Sequence, residues 1–342
     1  MLKAGIIGLG QIGYKIDEDL NRDLIWSHAK AYMRHPKIDL HAVSDNNKNQ
    51  YNDFKLHYPD VSFFQNYLDM VGKKKFDLIS ICTPTHLDLI KNIISSNPPK
   101  AFFIEKPMGS NLDEAIEISN MCKDKKIILA VNYMRRWDNA YIFVYEMIQK
   151  QKLGNLQNIT AYGNTALLTS TSHLIDLMIY FGGHIEWLVG DLQKGYVREA
   201  FGDLDPGGIS FIKFKKGHHG FLKGTSKNDD NVMFEIDLLF SDGRIKIMEP
   251  WITNDESDIQ VQLFLPIDAT EEKSYHILKN YSVEESYKKN ERMIDAMSDI
   301  VNCISNKENP LSGGTNSIMV HKIINSIKLS SNNDNMRVCF DE

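Results

Sequence analysis

The segment that decides the fold lies at the beginning of the chain, where residues 2–13 read LKAGIIGLGQIG. The apolar run at residues 4–7 predicts a short buried strand, and the glycines Gly8, Gly10 and Gly13 follow it in the pattern G-x-G-x-x-G. Such glycines permit a tight turn from a strand into a helix and a close approach of a ligand to the backbone. The segment therefore predicts a strand, a glycine loop and a helix in succession.

Further apolar runs continue this pattern through the first 131 residues, and helix-length segments separate them. Short runs that are apolar on both faces are typical of a parallel sheet covered by helices on both sides. One helix is predicted to begin at Ser110, with Asp113 completing a capping box. The pattern predicts an α/β, Rossmann-type domain over residues 1–131, with strands at residues 4–7, 40–43, 77–81, 101–104 and 127–131.

The pattern changes after about residue 150 to longer runs that alternate between apolar and polar residues. Alternation with a period of two predicts strands with one buried face and therefore a mostly antiparallel, open-faced sheet. Helices predicted near residues 172–181, 287–305 and 316–329 are expected to pack on one face of this sheet. Residues 132–342 thus form a predicted α+β domain for substrate binding and oligomerisation, with strands at residues 156–162, 208–215, 220–223, 233–240, 244–248 and 258–265.

Composition excludes several classes of function. The net charge of −6 opposes binding to nucleic acid and to anionic membranes, and no apolar run approaches the length of a spanning helix. The four cysteines are scattered without a C-x-x-C pair, so neither a metal site nor a redox dithiol is expected. We expect a cytoplasmic protein whose cysteines are reduced, namely Cys82, Cys122, Cys303 and Cys339.

The glycine loop predicts a dinucleotide cofactor. A pyrophosphate is expected against the backbone of Gly8, Gly10, Gln11, Ile12 and Gly13, at the positive end of the following helix. Asp45 ends the second predicted strand, where a carboxylate accepts hydrogen bonds from ribose hydroxyls and favours NAD over NADP. Its long spacing from the loop indicates an insertion around residues 17–25. Two alternatives stay open: Asp45 caps the next turn, or Lys48 meets a 2′-phosphate and NADP is used.

Three further segments follow predicted strands: TPTH at residues 83–86, EKP at 105–107 and NYMRRW at 132–137. Together with the glycine loop, they resemble the glucose-fructose oxidoreductase, inositol dehydrogenase and MocA-like (Gfo/Idh/MocA) family over nearly the whole chain. The resemblance implies a Rossmann domain with an open-faced sheet domain, an NAD(P) cofactor and a homo-oligomer, dimer or tetramer. It also implies cofactor contacts from Thr83, Pro84, His86, Glu105, Lys106 and Asn132, and a substrate contact from Arg135.

The resemblance implies that Lys106 acts beside the nicotinamide. A lysine in a closed cleft near a cationic ring has its ammonium form disfavoured, so it can exchange a proton near neutral pH. The second predicted catalytic residue is His173, three residues before Asp176 on a helix that Ser172 is expected to cap. The family often has an aspartate where this chain has Thr169, which can contact substrate but cannot take a proton at neutral pH. His173 and Arg135 are alternatively structural.

The leading hypothesis is an oxidoreductase that transfers a hydride between a nicotinamide cofactor and a sugar, polyol or nucleotide-activated sugar, with Lys106 as acid or base. Two alternatives remain: a glycosidase that uses tightly held NAD for transient oxidation, and a non-catalytic, NAD-responsive regulator of the same fold. The intact Lys106 argues against the regulator. A small-molecule substrate is therefore the expected partner.

Overall fold

The computed structural model describes residues 1–19, 24–84, 86–195, 197–200, 203–225, 234–249, 259–267, 277–283 and 286–340. The chain divides into two compact units. The first contains Met1–Trp137 and Asn290–His321, and the second contains Asp138–Lys289 and Lys322–Glu342.

A parallel sheet forms the centre of the first unit, as its apolar runs predict. Its described strands lie in the order β3-β2-β1-β4-β5-β6, which is the strand order of the Rossmann fold. Every neighbouring pair is parallel. The predicted α/β fold class is confirmed, and the strands are β1 (Leu2–Ile7), β2 (Ile38–Ser44), β3 (Ser62–Phe64), β4 (Leu78–Ile81), β5 (Ala101–Ile104) and β6 (Ile128–Val131).

Helices connect these strands, and short polar side chains cap several of them. The caps include Ser27, Asn47 and Asn66. The predicted cap at Ser110 is wrong by one residue: the Asn111 side chain accepts from the Glu114 N–H, and the Glu114 carboxylate accepts from the Ser110 N–H. The described helices up to β6 are α1 (His28–Arg34), α2 (Lys48–His57), α3 (Tyr67–Lys73), α4 (Leu87–Ser96) and α5 (Leu112–Asp124), with a 3₁₀ helix at Lys15–Glu18 and another after β6 at Met134–Trp137.

The second unit contains α6 (Asn139–Gln149), α7 (Thr171–Gly182) and a large mixed sheet. Alternate burial along its strands gives the sheet one covered and one open face. The sheet is mostly antiparallel, as predicted, with one parallel pair formed by β7 (Leu156–Gly163) and β12 (His219–Gly224). Its described strands lie in the order β16-β15-β14-β13-β7-β12-β11-β8-β17.

The strands of this sheet are β7 (Leu156–Gly163), β8 (Ile185–Leu192), β11 (Gly208–Phe214), β12 (His219–Gly224), β13 (Phe234–Phe240), β14 (Gly243–Met248), β15 (Gln260–Ile267), β16 (Ile277–Ser282) and β17 (Val338–Cys339). A separate two-stranded ribbon pairs β9 (Arg198–Ala200) with β10 (Asp203–Asp205). As expected, α7 packs on the large sheet, against β7 and β12.

The chain returns to the first unit near residue 290. Helix α8 (Arg292–Asn306) buries its apolar side in the core of that unit, and the division between units falls within α9 (Gly314–Asn332). The expectation that the helix near residues 287–305 packs on the second sheet is therefore wrong. The apolar face of an amphipathic helix can pack against any apolar surface, so the sequence of the helix does not identify the surface that buries it. The predicted domains have one boundary, after residue 131, whereas the chain passes between the two units after residues 137, 289 and 321.

Among the described residues, no helix is both long and apolar enough to span a bilayer.

Candidate active site

The glycine loop between β1 and α1 has two glycines that packing requires and one that borders open space. Gly8 has a φ of +96°, and a Cβ there would lie 3.0 Å from the Cys82 carbonyl. A Cβ on Gly13 would overlap the Gly8 carbonyl oxygen. A Cβ on Gly10 would meet no heavy atom within 4 Å. The space beside Gly10 is therefore available to a ligand.

The same loop presents unused hydrogen-bond donors. The backbone N–H groups of residues 10–13 donate to no acceptor within the part of the chain that the structure describes. Successive unpaired N–H groups at the beginning of a helix attract anions, because they carry partial positive charge. These N–H groups and the open space at Gly10 fit the pyrophosphate of a dinucleotide.

An insertion interrupts the chain just after this loop. The N–H groups of His28 and Ala29 donate to the carbonyls of Ile12 and Gly13, both at 3.0 Å, so α1 continues directly from the glycine loop. The Asp17 carboxylate accepts from the N–H groups of Trp26 and Ser27 at 2.9 and 2.8 Å and closes the inserted segment. This connection accounts for the long spacing between Gly13 and Asp45.

Asp45 follows β2 and links two parts of this edge. One carboxylate oxygen accepts from the Leu9 N–H at 2.7 Å, and the other accepts from the Asn47 N–H at 2.8 Å. The side chain therefore caps the turn after β2 and also holds the glycine loop. Each carboxylate oxygen has a further lone pair, so a contact with ribose stays a prediction.

The residues after β4 form a buried corner. The His86 Nε2 atom lies 2.6 Å from the Thr83 carbonyl, and Nδ1 lies 3.0 Å from the Met108 carbonyl. Burial lowers the pKa of His86, although both carbonyls and the nearby Glu105 oppose this effect. These contacts give His86 a role in fixing the loop that contains Thr83 and Pro84. Thr85 lies outside the described residues.

Residues after β5 and β6 form a polar cluster. The Glu105 Oε1 atom accepts from Asn132 Nδ2 at 2.7 Å and from His28 Nε2 at 2.9 Å. Burial acts to raise the pKa of Glu105, but the hydrogen bond and electrostatic interaction with His28, the hydrogen bond from Asn132 and the charge of Lys106 outweigh it and lower the pKa. Lys106 is half-buried beside this carboxylate.

Asn132 also carries an acceptor without a partner. Its Oδ1 atom is buried and has no hydrogen-bond partner among the described atoms. Leaving a buried acceptor unpaired costs about 1–3 kcal/mol, so the atom is poised to accept from a bound molecule. The orphaned acceptor lies in the same cluster as Glu105, at the carboxyl edge of the sheet, where open α/β folds bind ligands.

Two arginines follow β6 in the short 3₁₀ helix. Arg135 and Arg136 are buried, 2% and 4% exposed, and the Arg136 Nη1 atom donates to the Leu311 carbonyl at 3.5 Å. Arg136 therefore has a structural contact within the first unit. A substrate contact from Arg135 stays a prediction.

The remaining predicted site residues lie in the second unit, at the beginning of α7. The cap position is Ser170, so the expectation that Ser172 caps the helix is wrong; the Ser172 hydroxyl donates to the Thr169 carbonyl at 2.6 Å. His173 and Asp176 lie in the first two turns and are buried, 8% and 1% exposed.

Glycines determine how closely α7 approaches the sheet. A Cβ on Gly163 of β7 would lie 2.8 Å from Leu174 Cδ1, and a Cβ on Gly224 of β12 would lie 2.6 Å from Thr171 Oγ1. Only hydrogen atoms fit at these two positions, so the first turn of α7 rests directly on the strands. This close packing fixes the position of His173.

Sequence reasoning missed a buried carboxylate near Thr169. Asp205 is fully buried in β10, and its two oxygens accept from the N–H groups of Leu168 and Thr169 at 2.8 and 3.2 Å. The segment Asp205-Pro206-Gly207 has the composition of a surface turn, which gave no signal of this role. His28, Ser80 and Tyr32 were missed as well, because helix and strand patterns account for them.

The strand order, the unpaired N–H groups and the polar cluster at one sheet edge define a dinucleotide-binding protein. Residues 2–133 match the model of the Gfo/Idh/MocA oxidoreductase family with an NAD-binding Rossmann fold. The resemblance of the motifs in this part of the chain to the Gfo/Idh/MocA oxidoreductases is therefore confirmed. NAD is the cofactor of this fold.

Known relatives support the same assignment. A scyllo-inositol 2-dehydrogenase (NAD(+)) of Bacillus subtilis (strain 168) is 22% identical over 266 residues, which cover 72% of this chain and 73% of the relative. Two other relatives from this organism are matched over only 41% and 34% of their own length. The chain therefore spans less than half of each of those two proteins.

Solved structures share the fold over the whole chain. The WlbA dehydrogenase of Bordetella pertussis, in complex with NADH and UDP-GlcNAcA, has a TM-score of 0.76 at 14% identity and covers 100% of this chain and 98% of its own. An NAD binding oxidoreductase of Klebsiella pneumoniae has a TM-score of 0.78 at 13% identity, with coverages of 100% and 99%. At such low identity, these likenesses establish the fold alone.

Proposed function

We propose that the chain is an NAD-dependent dehydrogenase that acts on a CH–OH group of a polyol, a sugar or a nucleotide-activated sugar. The observation that carries this proposal is the position of Lys106, which follows β5 beside the Glu105–Asn132 cluster. The N–H groups of residues 10–13 belong to the same carboxyl edge of the sheet, after β1. A proton-transfer group and a phosphate site on one edge fit oxidation with a nicotinamide.

Lys106 is the proposed acid or base. A bound nicotinamide supplies the hydride acceptor in oxidation or the hydride donor in reduction. In oxidation, the Lys106 Nζ atom takes the proton of the substrate hydroxyl as the carbon loses its hydride, and a carbonyl forms. His28 and Asn132 donate hydrogen bonds to the Glu105 carboxylate, which places a negative charge at a fixed position next to this amine.

Cofactor choice is assigned to Asp45. Its carboxylate ends β2 and would repel a 2′-phosphate, which favours NAD over NADP. Cofactor contacts from Gly8, Gln11, Ile12, Thr83, Pro84, His86 and Asn132 are part of the proposal. Their support is the loop geometry and the orphaned Asn132 Oδ1 atom.

The residues at the beginning of α7 are assigned to the substrate. His173 is the proposed second proton carrier, and Asp176 is proposed to orient its ring. Thr169, with a backbone N–H held by Asp205, offers a hydroxyl rather than a carboxylate. Arg135 is the proposed partner of a charged substrate group.

Self-association through the open face of the second sheet is also proposed. Large apolar side chains on this face are more than two-fifths exposed, at Ile209, Phe211 and Leu239. Contiguous exposed apolar surface is typical of interaction sites. A dimer or tetramer in light scattering, lost when Phe211 is replaced by Glu, is the expected result. A cytoplasmic setting completes the proposal and is supported by the four cysteines, which are all free.

The test of the proposed function is a substrate panel with a Lys106 variant. Purified protein, NAD and individual polyols, sugars or UDP-sugars are incubated while reduced cofactor is followed by absorbance. We expect net reduction with at least one substrate and a loss of about 10² to 10⁴ in kcat for Lys106→Met, since general acid–base catalysis contributes about that much. NAD affinity of the variant is the control. Turnover without net reduction would instead indicate a glycosidase.

A further inference from the structure

A continuous chain of buried polar groups lies behind Glu105. The Tyr32 hydroxyl is 2.5 Å from Ser80 Oγ, and Ser80 Oγ is 2.7 Å from His28 Nδ1. His28 Nε2 is 2.9 Å from Glu105 Oε1, which also accepts from Asn132. Tyr32, Ser80 and His28 are fully buried. These hydrogen bonds thus connect helix α1 and Ser80 of β4 with Glu105, the residue next to Lys106.

The hydrogen bonds that connect Tyr32 with Glu105 fit one consistent set of donors and acceptors. Burial raises the pKa of Tyr32, so its hydroxyl keeps the proton and donates to Ser80. Ser80 then donates to His28 Nδ1, and the remaining proton on Nε2 is donated to the ionised Glu105. Every group is satisfied when the His28 ring accepts at Nδ1 and donates from Nε2. This series of hydrogen bonds ends at Tyr32, inside the core. It therefore fixes the positions of its members and offers no route for protons to solvent.

Other titratable groups face Glu105 from the elements around it. Burial raises the pKa of Cys82, just after β4, and the charge of Glu105 adds to this effect, so the thiol stays protonated. His86 feels the same carboxylate, although burial keeps its pKa low. Lys106 in turn lowers the pKa of Glu105. The cluster therefore presents one fixed negative charge, and Lys106 is the adjacent group able to respond to it.

We propose that His28 is a positioning residue for Lys106: by donating from Nε2, it keeps the Glu105 carboxylate ionised and fixed, and this charge keeps Lys106 protonated to higher pH. The inference rests on the proposed function only in that Lys106 is taken as the acid or base. A nearby opposite charge favours the charged form of an ionisable group, and the charge of Lys106 already lowers the pKa of Glu105. Without the His28 donor, the carboxylate is free to rotate or to take up a proton, and Lys106 loses this stabilisation.

The test measures the titration of Lys106 directly, without turnover. Full-length protein is labelled with trace acetic anhydride between about pH 6 and 11, and acetylation of the Lys106 peptide is quantified by mass spectrometry. The exposed Lys125 serves as internal reference. We expect His28→Leu to move the labelling midpoint of Lys106 down by about one pH unit, which is about tenfold faster acetylation below the midpoint.

Matched variants separate positioning from simple damage. His28→Gln places an amide N–H near the former Nε2 atom and should restore the wild-type midpoint. Tyr32→Phe removes the far end of the chain but no bond to Glu105, so its midpoint should change little. If His28→Leu fails to fold in circular dichroism, the isosteric Glu105→Gln must lower the midpoint instead.

Three outcomes would overturn the inference. These are an unchanged Lys106 midpoint in folded His28→Leu, an unchanged midpoint in Glu105→Gln, and equal shifts in His28→Leu and His28→Gln. A Lys106→Met protein with normal turnover would refute the proposed function but leave the labelling result intact. The two failures are therefore distinguishable.

Discussion

Replacement of Gly10 by valine tests the phosphate site with little risk to the fold. A Cβ at Gly10 meets no heavy atom within 4 Å, and the residue is not among those with a positive φ. Valine should therefore fit the free protein, and we expect the free energy of unfolding to change by less than about 1 kcal/mol. Its side chain fills the space that the pyrophosphate requires.

The expected loss of affinity follows from the N–H groups that valine shields. A hydrogen bond to a charged group contributes about 1.5–3 kcal/mol, and displacing the phosphate from two of the N–H groups of residues 10–13 removes about 3–6 kcal/mol. This corresponds to NAD binding that is weaker by at least about 10²-fold. Isothermal titration calorimetry gives the affinity, and urea denaturation gives the stability.

Two further glycine variants serve as matched controls. Gly72 in α3 also borders open space, so Gly72→Ala should leave NAD binding unchanged and stabilise the protein by about 0.5–1 kcal/mol. Gly13→Ala should destabilise it, because the Cβ would overlap the Gly8 carbonyl oxygen. Undiminished NAD affinity in a folded Gly10→Val protein would refute the assignment of this loop to the pyrophosphate.

Three other predictions concern carboxylates and a histidine. Asp45→Asn should narrow the ratio of NADP to NAD dissociation constants by about tenfold, since it removes a charge that repels the 2′-phosphate; a wild type that prefers NADP would contradict this. Asp205→Ala should lower the free energy of unfolding in urea by about 2–4 kcal/mol because the buried Leu168 N–H and the partly buried Thr169 N–H lose their acceptor, and a change below about 1 kcal/mol would contradict that role. Burial and nearby Lys216 lower the pKa of His218 from its ordinary value of 6.5 to about 4, so the folded protein binds fewer protons than the unfolded chain between these values. Stability should be full above pH 6.5 and fall by about 3 kcal/mol towards pH 4, and His218→Asn should lack this component; identical pH profiles of the two proteins would be the contrary result.

Some elements were predictable because their signals are local. The strand of residues 4–7, the glycine pattern after it and the runs at 77–81 and 101–104 together indicate a parallel sheet, since strands buried on both faces are made of continuous apolar residues. The strand β3 was missed because three residues are too few for a period to register. The cap of α5 was misplaced by one residue, since Ser110 and Asn111 both have capping side chains.

The sequence by itself therefore determined the fold class, the order of the two sheets and the residues that end the parallel strands. Only the tertiary structure decided which groups meet. Nothing local connects His28 with Glu105, 77 residues later, or Asp45 with the Leu9 N–H, because these contacts depend on the relative positions of separate elements. The packing partner of α8 also depends on tertiary structure. Its apolar stripe predicts that one face is buried, but only the assembled core shows which surface covers that face.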